Sequence, residues 1–366
     1  MLDKTMMRVM HVIGSTGIGG AERHVIDLCL IQRSQGLRVR VALPKPGELS
    51  DALTQVGIDW VVFGRGSRLN PFILWRLWRG IGLFQPDLIH AHMPRSIGMA
   101  AQVANGTPLI GTAHNIVKNM RPFLRCAQVI CVSQQVRNSL TALGFNADRT
   151  VVIHNAIKPS ELPMSTRAVT RKALGWDKDR ILLCVARLVP AKGQIYAIRA
   201  MPRLLAAEPG VHLVLVGTGS DESALKKVVE EMGLGARVQF LGTRTDVPFL
   251  LNAADIYLQP SIKEGFCIAF LEAMSAGLPC IGTRTGAIPE MIENQNLGVL
   301  IEPADSAAIE SAVLALVNSP DKAEKMGVCA RTSAAQQFSQ AKQGADTLGV
   351  YTRVIRCAPT SKRGTV

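Results

Sequence analysis

The sequence predicts an α/β fold made of two successive parallel-sheet units. Three observations lead there. Short apolar, β-branched runs alternate with amphipathic stretches along the whole chain, the β-α-β pattern of parallel sheets. That alternation is interrupted once, over residues 156–178, which are rich in Pro, Ser, Thr and charge, and it then restarts. A chain of 366 residues that is 48% hydrophobic has the length and the apolar content for two cores.

In the first half, Arg8–Ile13 is a strand that opens into the glycine loop Gly14–Arg23, and a helix follows from Ala21 to about Gln35. Such a loop lets a phosphate approach backbone N–H groups. It is not the dinucleotide fingerprint G-x-G-x-x-G. The next strand, Arg38–Leu43, ends in Pro44-Lys45 with no acid for a ribose, which argues against nicotinamide binding. Leu53–Phe63 is a helix-turn-strand unit. Residues 64–84 set Arg65, Arg68, Arg76 and Arg79 beside Phe72, Trp75, Trp78 and Phe84. Two readings stand for this segment: an interfacial membrane helix, or a surface helix whose tryptophans face the core. Strand Asp87–Ala91 carries His90 within it, and His92 follows as a cap of the next turn. Strand Leu109–Thr112 leads to His114 at its C-terminal end, where functional residues of parallel sheets gather. His90, His92 and His114 have no acidic neighbour and no H-E-x-x-H spacing, so no metal is expected. Val129–Val132 is a strand, Ser133 is the N-cap of the helix that follows it, and Val151–Ile153 closes the half.

In the second half, Arg180–Ala186 is apolar throughout, as expected for a strand covered on both faces. Arg187 and Lys192 come after it, across a loop broken by Pro190. Two cations at a strand C-terminus can clamp a diphosphate and stabilise a leaving nucleotide. Strand His212–Val216 ends in Gly217-Thr218-Gly219. Strand Val238–Leu241 precedes Arg244–Val247, with Asp246 read as an N-cap. Strand Ala254–Gln259 then enters Ser261–Gly277, SIKEGFCIAFLEAMSAG, whose apolar helix runs from about Cys267 to Ala276. Glu264 and Glu272, with seven residues between them, bracket that helix's start. The N–H groups near Phe266, Cys267 and Ile268 make an anion seat. Glu272, among Leu271, Ala273 and Met274, is half-buried and needs donors that ligand hydroxyls can supply. An anion seat and a hydroxyl-binding carboxylate on one short helix suit a nucleotide sugar. A purely structural reading of Ser261 and Glu264 as a capping box stays open. Strand Pro279–Gly282, the turn at residues 285–292, and helices near Pro303–Asn318 and Asp321–Phe338 complete the chain.

Composition narrows the function further. No apolar run reaches the 18 or so residues of a spanning helix, and the first residues read as a strand rather than a signal peptide. Eight cysteines without a C-x-x-C indicate neither zinc nor a disulfide framework, and a reducing, cytoplasmic setting is expected. Of the net charge of +13, residues 1–158 carry +10. A basic half points to an anionic partner. With no zinc-finger, RNP or helix-turn-helix signature, an anionic membrane face or phosphate-bearing lipid fits better than nucleic acid.

Residues 264–277 resemble E-G-F-G-x-x-x-x-E-A-M-A-x-G, a signature of retaining glycosyltransferases of family 4, with Cys267 and Ser275 in place of a glycine and an alanine. Residues 186–193 resemble that family's G-R-L-x-x-x-K-G, with Ala186 in place of its glycine. Residues 285–292 resemble its G-G-x-P-E-x-I, and Asn155 keeps part of its P-N-G hinge. The resemblance implies the GT-B fold: two Rossmann-like, doubly wound domains facing across a cleft. Residues 1–158 would form the acceptor-side domain, with a C-terminal helix at about 344–358 packed back on it. Residues 159–343 would form the nucleotide-sugar domain, and 359–366 a disordered tail. It implies transfer of a sugar from an NDP-sugar to a saccharide or lipid-linked acceptor with retention, without a metal or other cofactor. Arg187 and Lys192 would neutralise the diphosphate, helped by Gly265, Phe266 and Cys267. Glu272 would hold the ribose and Glu264 sugar hydroxyls. Gly217, Gly219 and Arg244 would lie near the nucleotide, and Gly19, Gly20 and His114 against donor phosphate or sugar. Peripheral contact with the inner face of an anionic membrane is expected. A catalytically inactive partner and an NDP-sugar epimerase of the same fold are the alternatives.

Overall fold

The computed structural model describes residues 7–357 apart from residues 68, 160, 161, 164 and 178. Arg68 and the tail from Pro359 lie outside the described residues. Two compact units make up the chain. Described residues up to Ala156, together with those from Gln340, form the first, and Ile157–Ser339 form the second. The unit boundaries thus fall after Ala156 and after Ser339, against the 158 and 343 read from sequence.

The first unit runs β1 (Arg8–Ile13), α1 (Gly20–Ser34), β2 (Arg38–Leu43), α2 (Glu48–Gln55), β3 (Asp59–Val62), α3 (Pro71–Phe84), β4 (Leu88–His92), α4 (Met93–Val103), β5 (Leu109–Ala113), β6 (Gln128–Cys131), α5 (Gln134–Thr141) and β7 (Thr150–Val152). Its strands form one parallel sheet ordered 3-2-1-4-5-6-7. Strands buried on both faces need apolar side chains on both, and past Arg8 at the edge of β1, strands β1, β4 and β5 supply them apart from histidines and a threonine. The register brings those polar exceptions together. β1 pairs with β4 so that His11 lies beside His90 and Ile13 beside His92, and β5 sets Thr112 beside His92.

The second unit runs α6 (Ser165–Leu174), β8 (Arg180–Val185), α7 (Gln194–Ala207), β9 (Val211–Val216), α8 (Glu222–Glu231), β10 (Val238–Phe240), α9 (Val247–Ala253), β11 (Ile256–Gln259), α10 (Ile268–Ala276), β12 (Cys280–Thr283), α11 (Ile288–Met291), β13 (Val299–Ile301), α12 (Ser306–Val317) and α13 (Pro320–Gln337). Its parallel sheet has the order 10-9-8-11-12-13. The last helix, α14 (Gln340–Cys357), belongs to the first unit. It lies close on α1: a Cβ on Gly344 would collide with Ile31. It buries Val350, Tyr351 and Val354 in the first core, each contributing about 2 kcal/mol by area removed from water.

Both sheets reverse winding once, between β1 and β4 and between β8 and β11. In doubly wound sheets ligands bind at that reversal, outside the strand C-termini. Sequence reading missed α4 because Pro94 and Gly98 interrupt its pattern and because it starts at Met93, which is held at φ 69°. Among the described residues no helix is long and apolar enough to cross a membrane.

Candidate active site

In the second unit the loops after β8, β9 and β11 and the turn after β12 interlock, and the glycines show how tightly. Gly193 has φ 66°, and a Cβ there would collide with the Pro260 carbonyl oxygen. Gly286 has φ 60°, and its Cβ would fall 2.5 Å from that of Glu264. L-residues adopt that conformation at a cost, and here the space is closed as well. Gly217 and Gly219 run against the carbonyls of Ala186 and Leu188. The main chain after β8 is thereby bound to the glycine turn after β9, and that turn to the next, Gly217 N–H donating to the Gly242 carbonyl at 2.7 Å.

Onto this frame the sequence places its cations and carboxylates. Lys192 Nζ donates to Glu264 Oε1 at 2.5 Å, and Ser261 Oγ donates to the same oxygen at 2.7 Å. Behind Ser261 stand Gln259 and Tyr257, linked by hydrogen bonds of 2.8 Å each. The Glu264 carboxylate is buried and is held from beneath by a full row of donors. Burial is the largest single influence and lowers the pKa of the Lys192 ammonium, but the charge and hydrogen bond of Glu264 together with Cys267 outweigh it, and the net shift is upward. Lys192 is therefore a fixed cation. Arg187 is exposed, and its carbonyl accepts from Gln194 Nε2 at 2.9 Å. Glu272 is half-buried one turn into α10.

Several sequence expectations are corrected. Ser261 and Glu264 are no capping box, because α10 starts only at Ile268 and they bond to each other instead. Phe266 turns its ring into the core against Phe338, with centroids 6.0 Å apart, so only its main chain is open to a ligand role. Cys267 precedes α10 at φ 69°. A glycine enters that conformation freely and cysteine at about 1 kcal/mol, so the small size of Cys267 does not by itself make it equivalent to the family's glycine. Burial, followed by the Glu264 charge, pushes its thiol well above the usual range. Asp246 holds the N-cap position of α9 as read from sequence, but its side chain bonds no helix amide and makes a two-pronged pair with Arg244 at 2.8 and 2.6 Å. Thr243, next to Arg244, meets Thr218 of the glycine turn at 3.3 Å.

In the first unit, Gly19 and Gly20 open α1, but the Gly19 N–H donates to Glu22 Oε2 at 3.0 Å and the Ile18 N–H to Glu48 Oε2 at 3.2 Å. Carboxylates answer the very amides that the phosphate reading needs. The neighbouring strand ends enclose a pocket of about 300 Å³ lined by Gly14, Thr16, Lys45, Arg65 and Arg95. On α3 the tryptophans point outward: Phe72, Trp75, Trp78 and Leu83 are exposed while Ile73, Leu77, Ile81 and Phe84 are buried. Arg76 stands over Phe72 and Arg79 over Trp75.

His114 sits at the end of β5, buried, with its Nε2 3.2 Å from His92 Nδ1. His92 makes no side-chain cap; its other nitrogen lies 3.0 Å from His11 Nδ1. His90 bonds to Tyr351 and Thr112 at 2.6 Å each, as a satisfied core histidine. His11 and His24 join them, so that two three-histidine groups, His11-His90-His92 and His24-His92-His114, share His92 with nitrogens within 4.8 Å of one another. That spacing suits a metal ion, and three histidines alone can ligate one. Burial lowers the pKa of all five rings, to about 4 for His11 and His114, so they are neutral near pH 7. Sequence reasoning missed His11 and His24. The spacing of His11 in β1 pointed into the sheet, but only the β1–β4 register brings it to His90.

Residues 18–161 match the family model described as Glycosyltransferase Family 4, and residues 166–333 the one described as Glycosyl transferases group 1. The chain is 32% identical over 180 residues to the N-acetyl-alpha-D-glucosaminyl L-malate synthase of Bacillus anthracis, a match spanning 49% of this chain and only about half, 47%, of that relative. It is 27% identical to the phosphatidyl-myo-inositol mannosyltransferase of Mycobacterium leprae, over 92% of this chain and 93% of the relative. Among solved structures, that of Anabaena HepE in complex with UDP-glucose superimposes with a TM-score of 0.87 at 24% identity, covering 95% of this chain and all of the other. This last likeness is one of fold, and the fold is GT-B.

Proposed function

The chain belongs to the group 1, family 4 glycosyltransferases, and on that premise we propose that it moves a sugar from an NDP-sugar to a phosphate-bearing or lipid-linked saccharide, with retention of anomeric configuration. The observation that carries the reading is the fixed Lys192 ammonium held against Glu264 on the glycine-locked loops at the β8/β11 reversal. Preorganised cations aimed at a departing diphosphate supply the electrostatic stabilisation such a transfer needs. Arg187, Lys192 and the main chain from Gly265 to Cys267 take the diphosphate. Glu272 takes the ribose and the Glu264 main chain and carboxylate take sugar hydroxyls, while His114, in the first unit, is assigned a sugar hydroxyl of its own. The two arginines and the lysine around the pocket by Gly14 seat an anionic acceptor. The Mycobacterium leprae relative, named a phosphatidyl-myo-inositol mannosyltransferase, supports a glycolipid acceptor. The reading requires no metal ion.

The test is product analysis. Purified protein is incubated with GDP-mannose, UDP-glucose or UDP-N-acetylglucosamine and a phosphorylated lipid-saccharide extract. One α-configured donor should release its NDP and yield an α-linked product by NMR. A β-linked product would refute retention, and donor isomerisation without NDP release would refute transfer.

The exposed face of α3 supports a peripheral membrane contact. Three aromatic rings and two arginines on one face match an anionic interface. Replacing Phe72, Trp75 and Trp78 with alanine should abolish co-sedimentation with phosphatidylglycerol vesicles. Undiminished co-sedimentation would exclude α3 as the contact.

A further inference from the structure

We infer that Tyr351, Gln32, His11 and His92 form a directional hydrogen-bond relay that sets the tautomer of His114 and leaves its Nδ1 as a lone-pair acceptor for a ligand hydroxyl. The inference rests on the sugar-contact role proposed for His114. The direction starts at Gln32, whose amide nitrogen can only donate and whose oxygen can only accept. Gln32 Nε2 donates to the Tyr351 hydroxyl at 2.8 Å, and that hydroxyl passes its own proton toward His90 Nδ1 at 2.6 Å. His90 then carries its proton on Nε2 and donates to Thr112 Oγ1. On the other side Gln32 Oε1 accepts from His11 Nε2 at 2.8 Å, which leaves His11 Nδ1 bare. A bare Nδ1 must receive the proton of His92 Nε2 at 3.0 Å, and the bare Nδ1 of His92 that of His114 Nε2 at 3.2 Å. A neutral imidazole holds one N–H, and with it committed to His92, His114 is left with Nδ1 as acceptor. The ring nitrogen that makes the inner bond decides the function of the outer one.

Placement favours a working relay over a merely satisfied core. Every bond in the row has complementary partners, and each polarises the next. His11, His90, His92, Thr112 and Tyr351 are fully buried, whereas His114, at the C-terminal edge of β5, is 8% exposed. The row begins on α14 and crosses more than three hundred residues of sequence between Gln32 and Tyr351. These are positioning residues; only His114 would touch a ligand.

The test is long-range ¹H–¹⁵N NMR of histidine-labelled protein at pH 7.5, paired with kinetics. Wild type should show His11, His92 and His114 each protonated at Nε2 only. Tyr351→Phe and Gln32→Met, each of which removes one link, should give mixed tautomers at His114 and lower kcat about tenfold, as for other groups that orient a functional histidine, with the donor KM unchanged. His114 protonated at Nδ1 in wild type would overturn the inference. So would variants that lose thermal stability but keep the tautomer and kcat, or stoichiometric bound metal in the purified protein. Correct tautomers in a protein that turns over no donor would support the relay and refute the transferase reading instead.

Discussion

Lys192→Ala should lower kcat by a factor of about 10² to 10³, the range lost when one preorganised charge-stabilising donor is removed. It should also destabilise the protein, because Glu264, at 7% exposure, is left as a buried charge without its ion-pair partner. Breaking such a pair from one side costs about 3–5 kcal/mol. The two effects separate in the double variant Lys192→Ala/Glu264→Gln. The neutral amide no longer needs a counter-charge, so the denaturation midpoint should return most of the way toward wild type. Activity should not return, because the cation that faces the diphosphate is still missing. Steady-state kinetics and urea melts on wild type and the two variants decide the matter. Activity recovering together with stability would assign Lys192 a structural role only.

Acid should unfold the protein unusually early. The five clustered histidines are buried and neutral, with pKa values lowered by desolvation, to about 4 for His11 and His114. Between pH 6.5 and 4 the folded chain therefore binds fewer protons than the unfolded chain, and stability falls as pH falls through that window. A depression from 6.5 to about 4 corresponds to about 3 kcal/mol for each of those two rings. Against a typical total of roughly 5–15 kcal/mol, the cluster alone can unfold the first unit. The melting temperature should be flat above pH 7 and drop steeply between pH 6 and 5. His11→Gln should make the fall in stability shallower by about 1.4 kcal/mol per pH unit at its steepest. A flat profile down to pH 4.5 would show that the rings are protonated, solvated or metal-bound.

The range of each interaction decides whether sequence can show it. The strands around Arg8, Arg180 and Ile256, and the helix after Cys267, rest on local periodicity and stop signals, and those are legible in a window of ten residues. The positions of Arg187, Lys192, Glu264 and Glu272 after the switch-point strands come from the same local reading. Their partnerships do not. Lys192 finds Glu264 72 residues away, and the apparent S-x-x-E cap dissolves because the helix starts at Ile268 and not at Ile262, as such a box needs. Asp246 takes the N-cap position its spacing suggested, but its side chain turns to Arg244, which offers two charged donors where the helix offers only amides. The loop at Gly19 read as a phosphate seat, yet Glu22 and Glu48 already meet its amides, one from a turn away and one from α2. The histidine row is the extreme case. Its members come from β1, α1, β4, β5 and α14, and no local pattern links them until the sheet order and register are known.

The most direct test of the central claim is calorimetric titration of UDP and GDP, and of the matching nucleosides, into wild type and into Lys192→Ala/Glu264→Gln. The account predicts that one diphosphate binds wild type with one-to-one stoichiometry and that the substitution weakens it about tenfold or more, while nucleoside binding hardly changes. Failure of both diphosphates to bind, or equal affinity in the two proteins, would contradict the assignment of the β8/β11 loops as the diphosphate site.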